Sequence, residues 1–364
     1  MANRQGSPQV SGRLARLRSG LRERGVDGIL VFGLENMRYL SGFTGDSGAL
    51  LISATEAILV TDFRYVEQAR EEAPDFRLVR HEDFFETLAG EVRGLGLGSL
   101  AYEGDTVSVR RFARLQETLP GVAWVDQNGL VEGLRAVKDA QELALIEEAA
   151  AIADRAFTHI LDYVREGAAE REIALELEWY LKRHSEGPAF PSIVASGPRG
   201  ALPHAQPGEK ELRRGELVVL DFGAIVNGYH SDMTRTVAVR SADERSREIY
   251  EIVLRAQLAG LEAVRPGKTG REVDAVARDV IAAAGYGEYF GHGLGHGVGL
   301  AIHEDPPRLS PRGEVTLVEN MVVTVEPGIY LPGFVGVRIE DLVVVTAAGA
   351  RRLSQSPKDF LVVG

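Results

Sequence analysis

The 364-residue chain contains no cysteine. Disulfides, cysteine-ligated zinc, iron–sulfur clusters and thiol nucleophiles are thereby excluded. The absence fits a reducing compartment. Long apolar runs are missing too. None reaches the ~18 residues that a membrane span requires, so no membrane partner is expected. The opening stretch, MANRQGSPQVSGRLARLRSG, has no apolar core, so a cytoplasmic location is expected rather than secretion. Positive charge is in deficit, with 41 basic against 53 acidic residues and a net charge of −12. That argues against nucleic acid as a partner. With 45% hydrophobic and 26% charged residues, the composition is that of a soluble globular protein. The length favours two domains.

What is present is organised around 217-LVVLDFGAIVNGYHSDMTRTVAV-239. Two apolar, β-branched runs flank Asn227-Gly228, a strong two-residue hairpin signal. With that turn, Asp221 stands opposite Thr234, and Asp232 lies two residues along on the same face. Two unpaired anions buried in a strand pair are costly. Either the strands are edges with solvated aspartates, or a cation removes the cost.

Ahead of this hairpin, residues 1–10 read as a disordered lead and 12–25 as a helix ending at Gly25. Strands are expected at 28–32, 49–62 (a hairpin), 76–81, 99–104 and 122–126. Helices are expected at 35–45 (helix then loop), 64–74, 83–94 and 108–119. Such alternation predicts a mixed sheet with helices on its faces. Gly45-Asp46-Ser47-Gly48 resembles a chymotrypsin-like nucleophile signature but lacks the all-β context and the partners, and reads as a turn. The glycines from Gly94 to Gly98 follow a helix and open a strand, the reverse of a dinucleotide loop. No catalytic constellation is expected in residues 1–130.

The second half carries a weak repeat. Helices at 139–166 and 170–185 precede the first hairpin; helices at 243–265 and 269–285 precede a second strand pair, 321–330 and 335–346. Asp139 matches Asp243, and Glu166-Gly167 matches Pro266-Gly267, at an offset of about a hundred residues, too long for a solenoid. A pseudo-twofold domain with the two hairpins meeting in one sheet is the simplest packing. The second pair brings its own acids, Glu326 and Glu340, whose even spacing lets them share a face. Between the hairpins lies 289-YFGHGLGHGVGLAIHEDPP-307, with His292, His296 and His303, three of the chain's eight histidines. Its glycines rule out a stable helix. It reads as an extended, close-packed segment, not the two-histidine helix of a zincin. Three histidines near four strand carboxylates mark a metal or catalytic site. Oxygen-rich ligands with an imidazole suit Mn²⁺, Co²⁺, Fe²⁺ or Zn²⁺. Four carboxylates exceed the need of one ion; two ions ~3.5–4 Å apart would use them all, which points to hydrolysis.

Asp221, Asp232, His296, Glu326 and Glu340, in that order and set in DFG, HGxGHGxG, VEPGIY and VRIED, resemble the M24-type "pita-bread" metallopeptidases. That family includes methionine aminopeptidase, prolidase (Xaa-Pro dipeptidase) and Xaa-Pro aminopeptidase. The likeness covers nearly the whole chain. It implies an α/β N-terminal domain of creatinase/prolidase type over 1–135, where GVDGILVFGLENMRYLSGFTG carries it. It implies an α+β pita-bread catalytic domain with a pseudo-twofold repeat over 136–364. It also implies two divalent metal ions, Mn²⁺ foremost with Co²⁺ or Zn²⁺ possible, on the five residues named; which carboxylates bridge is left open. Glu326 resembles the general base. His204, in ALPHAQPG, resembles the histidine that holds the substrate or the tetrahedral intermediate, and His303 the one that hydrogen-bonds the scissile carbonyl. His292 resembles the outer histidine lining the proline pocket. Arg338 resembles the arginine that orients a bridging carboxylate or meets the substrate carboxylate; a structural salt bridge is the plain alternative. The N-terminal domain separates the chain from methionine aminopeptidases, and the full ligand set separates it from creatinase. The resemblance therefore implies Xaa-Pro peptides as substrates, dipeptides ahead of longer ones, and a homodimer. Xaa-Pro aminopeptidase is the alternative activity. An inactive peptidase-like binding module would show a broken ligand set, and none is broken here. Arg338, Arg199 and Arg64 are the candidates for meeting a dipeptide carboxylate.

Overall fold

A computed structural model describes residues 8–364. The chain divides into two compact units, one ending at Arg135 and one spanning Ala136–Gly364.

In the first unit, β1 (Gly28–Val31), β2 (Ala49–Ser53), β3 (Ala57–Thr61), β4 (Arg77–Arg80), β5 (Ser99–Tyr102) and β6 (Ala123–Asp126) form one sheet in the order β4-β3-β2-β1-β5-β6. β1, β2 and β3 are antiparallel neighbours. β4, β5 and β6 each join in parallel. The helices are α1 (Pro8–Glu23), α2 (Leu34–Ser41), α3 (Val66–Glu72), α4 (Phe84–Gly94), α5 (Val109–Thr118) and α6 (Leu130–Ala136). Runs such as GILV and ALLIS are buried along their whole length, as central strands covered on both faces must be. Leu88, Ala89, Val92 and Leu115 of α4 and α5 pack against Leu30, Leu51 and Leu100. The side chains of Asp83 and Ser108 cap these two helices. Of the lead expected over 1–10, residues 1–7 lie outside the described residues, and the chain is already helical from Pro8. The short helix α6, over LVEGLRA, is not foreseen by the sequence pattern, since Gly129 and Gly133 dilute its periodicity. Ser47 donates to Asp62 and Tyr65 to Asp46, so the GDSG stretch is a pinned turn leading into β2.

Glu103, directly after β5, is buried. It accepts from the backbone of Phe32 at 2.6 Å and of Gly33 at 2.9 Å, and from Asn36 Nδ2 at 2.6 Å. Burial pushes its carboxyl above the ordinary range, against the pull of those donors. The protein's own carboxylate thus fills the crevice beyond the ends of β1 and β5, where open α/β sheets commonly hold ligands. Glu103→Ala strands three donors and should cost on the order of 3 kcal/mol, read as a lower urea midpoint.

The second unit repeats helix, helix, hairpin. The first copy holds α7 (Ala140–Ile160), α8 (Glu170–His184), β7 (Ile193–Ser196), β8 (Leu217–Phe222), β9 (Ile225–Val226), β10 (Tyr229–His230) and β11 (Met233–Val239). The second holds α9 (Glu244–Ala263), α10 (Gly270–Ala283), β12 (Gly295–Gly297), β13 (Glu304–Leu309), β14 (Val322–Val325), β15 (Gly328–Leu331), β16 (Val335–Arg338), β17 (Asp341–Thr346) and β18 (Gly349–Arg352); β19 (Val362–Val363) follows. Asp139 and Asp243 are the N-caps of α7 and α9. Gly167 and Gly267, at φ 84° and 86°, turn the chain and donate to Leu212 and Leu317. The helix expected over 139–166 stops at Ile160, because the chain turns there to bury Val164 ahead of Gly167. Ile152, Phe157, Leu177 and Leu181 cover the sheet β19-β11-β8-β7. Val253, Val273, Ala277 and Ile281 cover the sheet β13-β12-β14-β17-β18.

Both hairpins carry the same interruption. In the first, Asn227 and Gly228 take φ 45° and 74°, as a primed turn demands, and Asp221 pairs with Thr234. The β9–β10 tip is a separate pairing from β8–β11, and Asp232 sits at the gap. In the second, the register Val325↔Asp341 resumes at Gly328↔Arg338. Glu326 therefore faces Glu340 across the gap. The hairpins do not merge into one hydrogen-bonded sheet, contrary to expectation. Glu340 N–H donates to the Thr234 carbonyl at 3.1 Å. One step along, the Thr236 hydroxyl binds both the carbonyl and the N–H of Arg338, at 2.8 and 3.2 Å. A side chain stands where the backbone ladder would run.

Candidate metal centre

Three acids at the gaps of the two hairpins, and Asp221 on the paired strand β8, lie close enough for their charges to act on one another. Asp221 and Asp232 come from the first hairpin and Glu326 and Glu340 from the second; all but the half-buried Glu326 are buried. β12 adds His296. Its Nε2 lies 3.6 Å from Asp232 Oδ2 and 3.4 Å from Glu326 Oε1. Ligand atoms of Asp232, His296 and Glu340 all lie within 4.8 Å of one another. His296 Nδ1 is 3.0 Å from the Gly297 carbonyl. A carbonyl only accepts, so Nδ1 carries the proton and Nε2 presents a lone pair to the acids.

Neighbouring groups fix each acid. Thr234 Oγ1 donates to Glu340 Oε2 at 2.6 Å, and Thr324 Oγ1 to Glu326 Oε1 at 3.2 Å. Arg338 is buried and pairs with Asp221. It also donates to the Tyr330 hydroxyl at 2.8 Å and to Thr234 Oγ1 at 3.1 Å. The Tyr330 hydroxyl is 2.9 Å from His292 Nε2, and His292 Nδ1 is 2.7 Å from the Gly293 carbonyl. The second contact makes Nδ1 the protonated nitrogen, so Nε2 accepts from Tyr330. His292 therefore belongs to a relay running from Arg338 through Tyr330. His303 stands with its ring 4.3 Å from that of His296. His204 is exposed and close enough for its charge to act on His303.

The electrostatics are those of a site built for cations. Burial pushes the carboxyls of Asp232 and Glu340 well above the ordinary range, and the neighbouring carboxylates add to it. Glu326 is raised by burial as well. Burial lowers His292, His296 and His303, so neutral imidazoles are favoured. One oxygen of Asp221 and one of Glu340 are buried with no hydrogen-bond partner. Orphaned carboxylate oxygens beside an imidazole lone pair are the donor set of a first-row divalent ion, and a cation would relieve both the repulsion and the lost hydration. The residues fit the metal.

Residues 144–347 match metallopeptidase family M24, and residues 13–137 match the creatinase/prolidase N-terminal domain. The chain belongs to metallopeptidase family M24. Members of this M24 family use divalent metals. The chain is 45% identical to the Xaa-Pro dipeptidase from Bacillus anthracis; the structures agree with a TM-score of 0.95 over 97% of this chain and 100% of that one. It is 40% identical to the Xaa-Pro dipeptidase of Pyrococcus furiosus over 359 residues, 96% of this chain and 99% of the relative. It is also 40% identical to an X-Pro aminopeptidase from Thermotoga maritima MSB8, with a TM-score of 0.86 over 94% of this chain and 99% of that one.

Among the groups that aim the acids, the sequence pointed to Arg338 but not to the roles of Thr234, Thr324 and Tyr330. Thr234 was findable, since the hairpin register puts it opposite Asp221. Tyr330 lies inside the VEPGIY motif, but only tertiary structure joins it to Arg338 and His292. Each arginine considered for a substrate carboxylate is already engaged. Arg338 is held as described, Arg199 bonds Glu170 at 2.8 Å, and Arg64 bonds Asp62 at 2.7 Å.

Proposed function

We propose that this M24 peptidase hydrolyses the Xaa-Pro bond of dipeptides with two divalent cations, Mn²⁺ foremost, held by Asp221, Asp232, His296, Glu326 and Glu340. The observation that carries the reading is the convergence of Asp232, His296 and Glu340, whose ligand atoms all lie within 4.8 Å of one another, in a cluster where one oxygen of Asp221 and one of Glu340 are buried without a hydrogen-bond partner. The substrate class rests on the dipeptidases it resembles at 40–45% identity. When bound, the cations supply Lewis acidity and bring a water's pKa toward neutrality. Glu326, with Thr324 orienting Oε1 from 3.2 Å, would accept a proton from the attacking water. His303 and His204 donate hydrogen bonds to the carbonyl under attack as charge develops on its oxygen. Arg338 fixes Asp221 and, through Tyr330, the ring of His292, which borders the proline.

A second reading, an Xaa-Pro aminopeptidase acting on longer peptides, is favoured by the Thermotoga relative. The prior engagement of Arg338 and Arg199 favours it too, since neither is left to pair with a dipeptide carboxylate. The protein should be stripped of metal, reloaded with Mn²⁺, Co²⁺ or Zn²⁺, and offered Leu-Pro beside an Xaa-Pro-Xaa tripeptide. Cleavage of the dipeptide is the expected result. Cleavage of the tripeptide alone makes the enzyme an aminopeptidase. No cleavage with any metal overturns the reading.

A further inference from the structure

Glu304 follows His303 directly and takes no part in the chemistry above. Yet it is a buried carboxylate, 4% exposed, paired at 3.0 Å with the ammonium of Lys138, 1% exposed. So deep an ion pair is held against a large desolvation cost, and the local chain is shaped around it. Gly299 stands so close that a Cβ there would come 2.5 Å from Glu304 Oε1. A Cβ on Gly297 would come 2.7 Å from the Glu304 carbonyl. The backbone N–H of Ala301 reaches the same carboxylate at 3.4 Å. Part of the glycine-rich pattern is therefore packing room for Glu304.

The pair also sits where the register breaks. His296 opposes Arg308, but the next residue, Gly297, opposes Glu304. The slack between them brings the His303 ring beside that of His296. At its other end, Lys138 is tied to the strand pair bearing Glu326. Its N–H donates to the Asn320 carbonyl at 3.0 Å, and Val137 bridges to Met321.

We propose that the Lys138–Glu304 ion pair positions His303. It anchors the 298–304 loop to the frame of the second hairpin and so sets where the imidazole stands, without either residue touching substrate. The proposal rests on the reading of His303 as a substrate-contacting group. Lys138→Met should lower kcat on Leu-Pro by about tenfold with KM changed less than about twofold. It should also shift the His303 ring signals in ¹⁵N-histidine spectra of the metal-free protein. Lys138→Met/Glu304→Gln leaves no buried charge unpaired; it should recover the parent's Tm but not its kcat. In a His303→Ala background, Lys138→Met should have no further effect on kcat. The same tenfold loss in that background, or unmoved His303 signals, would overturn the proposal. Intact turnover in His303→Ala alone would instead remove the role given to His303, and the spectra would then decide the positioning by themselves.

Discussion

Asp232→Asn should abolish metal-dependent hydrolysis and yet leave the metal-free protein at least as stable as the parent. The two effects have one cause. Asp232 is buried among Glu340, Asp221 and Glu326, and burial and those charges together hold its carboxyl far above the ordinary range. Without a cation this is a like-charge cluster in a poor dielectric. The amide keeps the shape and removes one charge, so the metal-free fold loses a strain. With Mn²⁺ present the order reverses. A ligand that binds only the folded state stabilises it by about 4 kcal/mol at a thousand times its Kd, and the variant forgoes most of that. Mn²⁺ should therefore raise the melting temperature of the parent and not of Asp232→Asn. Activity should fall by more than the ~10–100-fold typical of losing a hydrogen bond outside the ligands. Calorimetric titration checks both. Retention of two bound Mn²⁺ would show that the ligand assignment is wrong.

The largest loss of stability is expected from Arg235→Met. The Arg235 side chain is 1% exposed. Its guanidinium donates to Asp341 Oδ1 at 2.7 Å, to the carbonyls of Thr234, Ser356 and Pro357 at 2.9, 2.8 and 3.1 Å, and to the Glu340 carbonyl. Asp341 is completely buried and also receives Lys358 and Gln257. Burial alone would raise its carboxyl, but Arg235 and Lys358 bring it below the ordinary value. A lowered folded pKa means stability that is present above the unfolded value near ~4 and lost as pH falls beneath it. Methionine fills the space but leaves several carbonyls without a donor and takes from the buried Asp341 carboxylate one of its cationic partners. Breaking such a pair costs about 3–5 kcal/mol. Arg235→Lys should rescue little, because one ammonium cannot serve a planar array of acceptors. Urea unfolding within about 1 kcal/mol of the parent would refute the account. Since Arg235 holds the carbonyls of Thr234 and Glu340, Mn²⁺ affinity should weaken alongside stability.

What the sequence disclosed was mostly local. Asn227-Gly228 fixed a turn, the turn fixed a register, and the register put Asp221 opposite Thr234. Asp139 and Asp243 marked two helix starts because capping is decided within a few residues. The residues of the candidate site stood out for a related reason: carboxylates inside apolar strands and histidines among glycines are costly unless used. The illegible parts depend on distant partners. Whether Arg338 meets a substrate or a ligand turns on Asp221, far back in the chain. Where the two sheets adjoin, the hydroxyl of Thr236 takes both backbone groups of Arg338, 102 residues on. No periodicity joins Lys138 to Glu304. Residues 161–166 continued a helical pattern in composition but not in space, because burying Val164 outweighed another turn of helix.

Thr234 and Glu340, which share the 2.6 Å bond at the centre of the site, are 106 residues apart in the chain. Contacts across such separations form late in folding, after local helices and hairpins have paid for loop closure. The four acids are therefore expected to meet when the two halves of the catalytic unit dock, after the transition state for folding. A cation that neutralises them acts on an interaction absent from that state. It should slow unfolding and leave the refolding rate nearly unchanged, so that metal supply sets how long each molecule lasts rather than how fast it is made.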